Sequence, residues 1–306
     1  MNKFRQSRKN DLIIVPGPAS IELGHRIGIL LKTKVVDIEF KRFPDGESYI
    51  RFMDTVKGEH VVIVQTTSPP QNENLIQLFL MADNAKEMGA KNITAVVPYF
   101  AYSRQDSVFR PGEALSVKTI VSLLKACGVS RIITVNSHNP TVLKKMPIHI
   151  KDLSAISLLA QHFKEKSFKN AFSVSMGKKG LPTAEEADKV LQGGSDYIPT
   201  QRDRVTGVVE IEKKSLPVKS RTAIVFDDII SSGGTMIKAV SFLKEQGARN
   251  VYVACVHPLL TVETRDKILR AGADDVVGTD TVPNLVSKVS VAPLIAKALK
   301  KRAAKV

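Results

Sequence analysis

Tryptophan is absent from the 306 residues, aromatic residues make up 6%, and cysteine occurs only twice. Cys127 and Cys255 stand far apart in apolar contexts without metal-ligand spacing. They read as small core residues in a reducing compartment, which excludes a disulfide framework and a thiolate metal centre. The scarcity of aromatics and the lack of an RNA-binding signature argue against a dedicated nucleic-acid module. No apolar run approaches the ~18 residues that cross a bilayer, and the first one stops at Pro16, too short for a signal-peptide core. Low-complexity tracts and long linkers are missing too. The expectation is a cytoplasmic protein with no membrane segment.

What is present is an ordinary globular composition, 43% hydrophobic and 25% charged, in a chain long enough for about two domains at ~150 residues each. Forty-five basic residues against 30 acidic ones give a net charge of +15. Much of the surplus sits at the ends. Lys3, Arg5, Arg8 and Lys9 open the chain, and Lys297, Lys300, Lys301, Arg302 and Lys305 close it, without an acid among either set. Solvated tails explain such runs better than a nucleic-acid arm. Either way, a positive field attracts phosphorylated small molecules.

Short β-rich runs alternate with amphipathic helical segments, the pattern of a parallel α/β architecture. Strands are expected at 12–15, 61–65, 93–98, 131–135, 171–174, 223–227, 251–256 and 275–278, with helices at 74–88, 116–127, 184–191 and 235–246. The segment KEMGAKNITAVVP (86–98) resembles KEQGARNVYVACVHP (244–258), and KACGVSRIITV (125–135) has the same grammar. Gly89 and Gly247 fit the position just after a helix, where a left-handed backbone carries no Cβ penalty. The expected fold is α/β, with two similar halves, each a mainly parallel sheet flanked by helices. Their boundary falls near 146–153, giving domains 1–148 and 149–306, and the last helix (293–306) is free to join the first half.

The segment IVFDDIISSGGTM (224–236) carries the clearest chemistry. An apolar strand ends at Asp227 and Asp228, and Ser231, Ser232, Gly233, Gly234 and Thr235 lead into a helix. The two acids suit vicinal sugar hydroxyls, directly or through a cation. Backbone amides at a helix start, with glycines that allow close approach, suit a phosphate. Together they describe a ribose 5-phosphate. A lone GGT would be an ordinary capped turn, but the whole strand–DD–SSGGT–helix string favours a ligand.

This string resembles the phosphoribosyl-binding loop of type I phosphoribosyltransferase-fold proteins. KRFPDGESYIRF (41–52) and VVPYFAYSRQD (97–106) narrow the resemblance to the ribose-phosphate pyrophosphokinase family, which makes phosphoribosyl diphosphate, and most closely to its shorter archaeal-type members. The resemblance covers nearly the whole chain. It implies two phosphoribosyltransferase-like domains, Mg²⁺ as cofactor, and ATP and ribose 5-phosphate as substrates. It also implies a homo-oligomer in which one subunit completes a neighbour's ATP site. By match to the family's motifs, Phe43, Asp45, Gly46 and Glu47 contact ATP from the neighbour, and Arg104 and Gln105 contact it within the subunit. His138 binds metal and nucleotide, and Asp227, Asp228 and Ser231 through Thr235 hold ribose 5-phosphate. Outside that context Arg104 would be a surface ion-pair residue, His138 a structural histidine, and Tyr99 and Tyr102 core residues.

The sequence departs from the family where the chemistry is done. The resemblance implies that YIPTQRDRVTG (197–207) corresponds to the family's mobile loop; it keeps Arg202 at the family's arginine, but the lysine position is Thr200 behind Pro199. In FSVSMGKKG (172–180) the metal-binding aspartate position is Ser175, a poor Mg²⁺ ligand, and Lys178 and Lys179 follow. Asn136 replaces an aspartate present in many members. Three readings follow: an active enzyme of reduced rate, a non-catalytic subunit regulating or scaffolding an active sibling in a hetero-oligomer, and a base phosphoribosyltransferase. The last is disfavoured because it needs neither two halves nor an ATP motif.

Overall fold

A computed structural model describes residues 12–105, 107–108, 110–202, 209–212 and 214–303. The basic residues at 3–9 and Lys305 lie outside the described residues. The chain divides into a first unit, which reaches Leu153 and takes back the chain from Ala292, and a second, Ser154–Val291.

The first unit runs β1 (Leu12–Pro16), α1 (Ile21–Leu31), β2 (Lys34–Val35), β3 (Ile38–Arg42), β4 (Ser48–Phe52), β5 (His60–Val64), α2 (Gln71–Glu87) and β6 (Asn92–Val97). It continues through α3 (Ser116–Ala126), β7 (Val129–Val135), α4 (Pro140–Leu143) and β8 (His149–Leu153). The second unit comprises α5 (Ile156–Glu165), β9 (Phe172–Met176), α6 (Gly177–Leu191), β10 (Ser195–Ile198), β11 (Thr200–Arg202) and β12 (Val209–Ile211). It ends with β13 (Thr222–Ile230), α7 (Gly234–Glu245), β14 (Asn250–Pro258), α8 (Val262–Arg270), β15 (Asp275–Thr279) and β16 (Ser287–Val289). Helix α9 (Ala292–Ala303) belongs to the first unit, where it packs on α1.

The two sheets have one topology. Their orders are β2-β1-β5-β6-β7-β8 and β10-β9-β13-β14-β15-β16, with parallel pairing throughout. In both, an antiparallel hairpin is inserted after the second sheet strand: β3–β4 in one, β11–β12 in the other. The internal repeat is therefore a repeat of whole units.

Parallel strands buried on both faces read as continuous Val/Ile runs, because helices cover each side. In the second unit Val225, Val253 and Val276 pack with Met236, Val240 and Leu243 of α7 and with Ile268 of α8. On the opposite face Phe226 meets Phe163 of α5 edge-on, ring centroids 6.4 Å apart. Both rings are fully buried, so truncating Phe163 to alanine costs about 3–5 kcal/mol. That rigidity fixes where the strand ends lie, and the strand ends carry the candidate site.

Candidate functional site

In a doubly wound sheet, ligands settle outside the carboxyl ends of the strands where the strand order reverses. In the second unit that point lies between β9 and β13. Their ladder runs Ala223↔Phe172, Ile224↔Ser173 and Val225↔Val174. Beyond it β9 turns into α6 at Gly177, whereas β13 continues beside β14 through Asp227↔Cys255, Ile229↔His257 and Ile230↔Pro258. The two chains diverge beyond Val225↔Val174. The strand thus does not stop at Asp227, as the sequence suggested. β14 extends to Pro258 and offers partners, so both acids sit inside the strand, half-buried.

Asp227 Oδ1 accepts the Asp228 N–H at 2.9 Å. Across the ladder Cys255 is fully buried, and its thiol is pushed far up by burial first and by the charges of Asp227 and Asp228 second. It is a packing residue, as expected.

Ser231, Ser232 and Gly234 are exposed, and Gly233 is buried with φ +76°. The N-cap of α7 is Gly233, not a serine or threonine, and no side chain caps the helix. Ile237 is the first residue whose N–H finds a turn partner, at Gly233 O, 2.9 Å. The amides of Gly234, Thr235 and Met236 therefore face outward at the positive end of the helix dipole, with no acid in the first turn. This is a ready anion seat beside two carboxylates.

The opposite wall is β9–α6. Helix α6 starts at Gly177 rather than at Ala184, with Pro182 inside it. Two glycines and a proline disguised its first turns, yet Pro182 forgoes only the bond to Lys178 O. Ser175 is 1% exposed, and its Oγ has no hydrogen-bond partner among the described residues. A Cβ on Gly180 would lie 3.1 Å from that oxygen, so the hydroxyl is tucked against the first turn. Gly177 has φ +66°, and a Cβ there would lie 3.0 Å from Thr200 Oγ1. Thr200 opens the β11–β12 hairpin at the same sheet edge, with register Thr200↔Ile211. The loop expected to be mobile is thus a hairpin at its base. Lys214 Nζ ties its exit to β10, 2.5 Å from Asp196 Oδ1 and 3.8 Å from the Tyr197 ring centroid. The Arg202 side chain and residues 203–208 lie outside the described residues.

The first unit presents its own set. Phe43 to Glu47 form the exposed turn of the β3–β4 hairpin, closed by Phe43 N–H to Glu47 O at 2.8 Å and by Glu47 N–H to Asp45 Oδ1 at 3.2 Å. Gly46, at φ +97°, has open space where a side chain would go. Phe43 is 47% exposed, its ring edge-on to Tyr49 at 6.1 Å. Arg104 and Gln105 follow β6, and His138 follows β7, all at the carboxyl edge of the sheet. Arg104 and His138 are exposed, and Gln105 Nε2 donates to Ser107 O at 3.1 Å. Tyr99 is core, but Tyr102 is not. It is 41% exposed at φ +64°, with its hydroxyl on Asn72.

Sequence reasoning missed Asp152 at the end of β8. It accepts the Ser137 hydroxyl at 2.6 Å and the Ser137 N–H at 3.1 Å, which pins the turn carrying His138. Burial is the largest influence on this carboxyl and pushes it up, against the hydrogen bonds from Ser137.

The first unit's own switch point is plugged. Gln65, fully buried between β1 and β5, accepts from Ala19 N–H and donates to Gln77 Oε1, both at 3.0 Å. A Cβ on Gly17 would collide with Gln65 Oε1 at 2.3 Å.

Magnesium prefers carboxylate and phosphate oxygens. The amino end of α6 offers a buried neutral hydroxyl, Ser175, and two exposed ammonium groups, Lys178 and Lys179. The nearby carboxylate of Asp196 is taken by Lys214. Among the described residues no group of three or more His, Cys, Asp or Glu side chains is placed to hold a metal. The side chains at the end of α6 do not fit Mg²⁺.

Topology and strand-end loops define a two-unit α/β protein of phosphoribosyltransferase-like architecture. Family models agree. The N-terminal domain of ribose phosphate pyrophosphokinase matches residues 12–128, and the phosphoribosyl synthetase-associated domain matches 135–300. The chain is similar to ribose-phosphate pyrophosphokinases of Methanothermobacter thermautotrophicus (39% identity; 94% of this chain, 100% of the relative) and Saccharolobus solfataricus (36%; 89% and 93%). It superposes on the crystal structure of phosphoribosylpyrophosphate synthetase from Mycobacterium smegmatis with a TM-score of 0.85 at 28% identity, covering 96% of this chain and 99% of that one. The chain belongs to the ribose-phosphate pyrophosphokinase family. Among the described residues no helix is long and apolar enough to cross a membrane.

Proposed function

We propose that this chain binds ribose 5-phosphate and ATP and makes phosphoribosyl diphosphate and AMP at a rate well below that of a family member with an intact loop. The observation that carries the binding part is the uncapped amino end of α7 beside Asp227 and Asp228 at the switch point. The 5-phosphate sits on the amides of Ser232 through Thr235, and the two aspartates accept hydrogen bonds from the sugar hydroxyls. The anomeric hydroxyl attacks the β-phosphorus of ATP, and AMP leaves. ATP is held by Arg104, Gln105 and His138, with Phe43, Asp45, Gly46 and Glu47 supplied by a second copy of the chain in a homo-oligomer.

The rate argument rests on charge. Pyrophosphoryl transfer is catalysed by positioning and by cations that meet the developing charge. Thr200 offers a hydroxyl where the family resemblance places an ammonium, and losing one such cation costs about 10²–10⁵ in rate. Ribose 5-phosphate titrated into the purified chain tests the binding half, and AMP release from ATP tests the chemical half. A second reading, a non-catalytic subunit partnered with an active sibling, is favoured by the burial of Ser175. It predicts binding of both substrates without turnover.

A further inference from the structure

The hairpin that carries Phe43 to Glu47 is gripped by α2 at its last ladder pair. Arg42 and Ser48 are directly opposite in the β3–β4 register, so their side chains leave on one face. Both reach the helix. Arg42 Nη2 donates to Glu73 Oε1, while Gln77 Nε2 lies 3.1 Å from that same oxygen and 3.5 Å from Ser48 Oγ. Glu73 and Gln77 are four residues apart in α2 and therefore share a face. Beyond this pair the tip, residues 43 to 47, is exposed throughout.

The grip continues into the core as a relay with one direction. A backbone N–H can only donate, so Ala19 fixes the Gln65 amide with Oε1 toward it, at 3.0 Å, and Nε2 outward. Gln65 Nε2 donates to Gln77 Oε1 at 3.0 Å, which turns the Gln77 N–H groups toward Glu73 and Ser48. The Glu73 carboxylate, an acceptor, then takes the guanidinium of Arg42, a donor only. Gln65 is fully buried and Gln77 is 1% exposed, so reversing either amide would set donor against donor away from water. An exposed ion pair contributes little to stability by itself. What the relay supplies is a fixed position for the hairpin relative to the sheet.

We propose that Glu73 and Gln77 are positioning residues for nucleotide binding: they hold the hairpin tip in the pose that presents Phe43, Asp45 and Glu47 to ATP. They act through the hairpin and not on the substrate. Glu73 is the sensitive member, because losing its carboxylate releases Arg42 and strips Gln77 of an acceptor. The inference rests on the reading that the hairpin completes an ATP site.

ATP is titrated calorimetrically into the full chain, and hydrogen exchange of the peptide spanning 41–52 is read by mass spectrometry. Glu73→Leu and Arg42→Leu are each expected to weaken ATP at least fivefold and to speed exchange at the tip. Their melting temperatures are expected to stay within about 2 °C of the parent, as for an exposed pair. The two changes remove charges of opposite sign, so a fall in both is an effect of geometry. A fall with Arg42→Leu and a rise with Glu73→Leu is an effect of charge and overturns the proposal, as does unchanged exchange at the tip. Glu73→Gln keeps an accepting oxygen and is expected to bind ATP within twofold of the parent. The double variant Arg42→Leu/Glu73→Leu is expected to be no weaker than either single one, since partners in one network are non-additive; independent losses overturn the proposal. Phe43→Ala separates the inference from the reading beneath it. Weakened ATP binding in Phe43→Ala but not in Glu73→Leu overturns the inference and leaves the hairpin reading standing. Unchanged ATP binding in Phe43→Ala, or none by the parent, overturns the hairpin reading and the positioning role with it.

Discussion

Gly233 and Gly234 are neighbours with opposite requirements. A Cβ on Gly233 would lie 2.6 Å from Thr264 Cγ2, at a φ of +76° that side chains rarely adopt, whereas a Cβ on Gly234 would meet nothing within 4 Å. One glycine is needed by the fold, and the other faces open space.

The consequence is a clean pair of substitutions. Gly234→Val is expected to keep the parent's melting temperature and lose ribose 5-phosphate affinity at least tenfold, since surface changes usually cost under about 0.5 kcal/mol. Gly233→Val is expected to lower the melting temperature as well, because it strains the backbone and pushes on α8. Unchanged affinity in Gly234→Val would remove the phosphate from this seat.

A pH prediction follows from Asp152. Burial raises its carboxyl above the ordinary value of 3.8. In the window from that value up to the raised one, the folded state holds the proton better than the unfolded state. Folding stability from this group therefore falls as pH rises through the window. Asp152→Asn removes the titration, so its melting temperature relative to the parent is expected to be higher at pH 7 than at pH 4. A difference that does not change with pH would contradict this.

Cys255 is expected to resist alkylation in the native protein at pH 8. It is fully buried, and Asp227 and Asp228 add to the burial that raises its thiol. The thiolate is the reacting form. Rapid native-state modification, followed by mass spectrometry of the peptide around residue 255, would show that the β13–β14 edge opens readily.

The part of the site legible in the sequence was the part written in one contiguous stretch. Residues 227–235 carry acids, glycines and a helix start in order, so the strand-to-helix turn followed from them. The extension of β13 to Ile230 was not legible, because it depends on β14 reaching Pro258 beside it. Helix α1 was missed because Gly24 and Gly28 interrupt its pattern. The fold needs them small, since a Cβ at Gly24 would lie 2.7 Å from Pro16 and one at Gly28 2.4 Å from Val35. The β3–β4 hairpin escaped notice because most of its residues are half-buried or exposed. Asp152 acts on a turn 15 positions away, and no local motif announces such a contact. The burial of Ser175 against Gly180 is likewise a packing fact, visible only once α6 begins at Gly177.

If Thr200 and Ser175 lower the rate, restoring charge at both should act as a unit. Thr200→Lys together with Ser175→Asp is expected to raise AMP formation by more than the product of the single effects, since coupled catalytic groups are non-additive. Ser175→Asp alone is expected to gain little and to lower stability, because it places a carboxylate in a site that is 1% exposed. Multiplicative effects of the two changes would show that they act independently.

The central claim, binding with weakened chemistry, is tested most directly by ribose 5-phosphate-dependent AMP release from Mg-ATP. The assay uses the purified full chain under saturating substrates, beside the Thr200→Lys/Ser175→Asp variant. The account predicts that the parent binds both substrates yet turns over at least about 100-fold more slowly than the double variant, the least expected from one missing transition-state cation. Turnover by the parent equal to or above that of the variant would contradict it and show that Lys178, Lys179 or another group already supplies the charge.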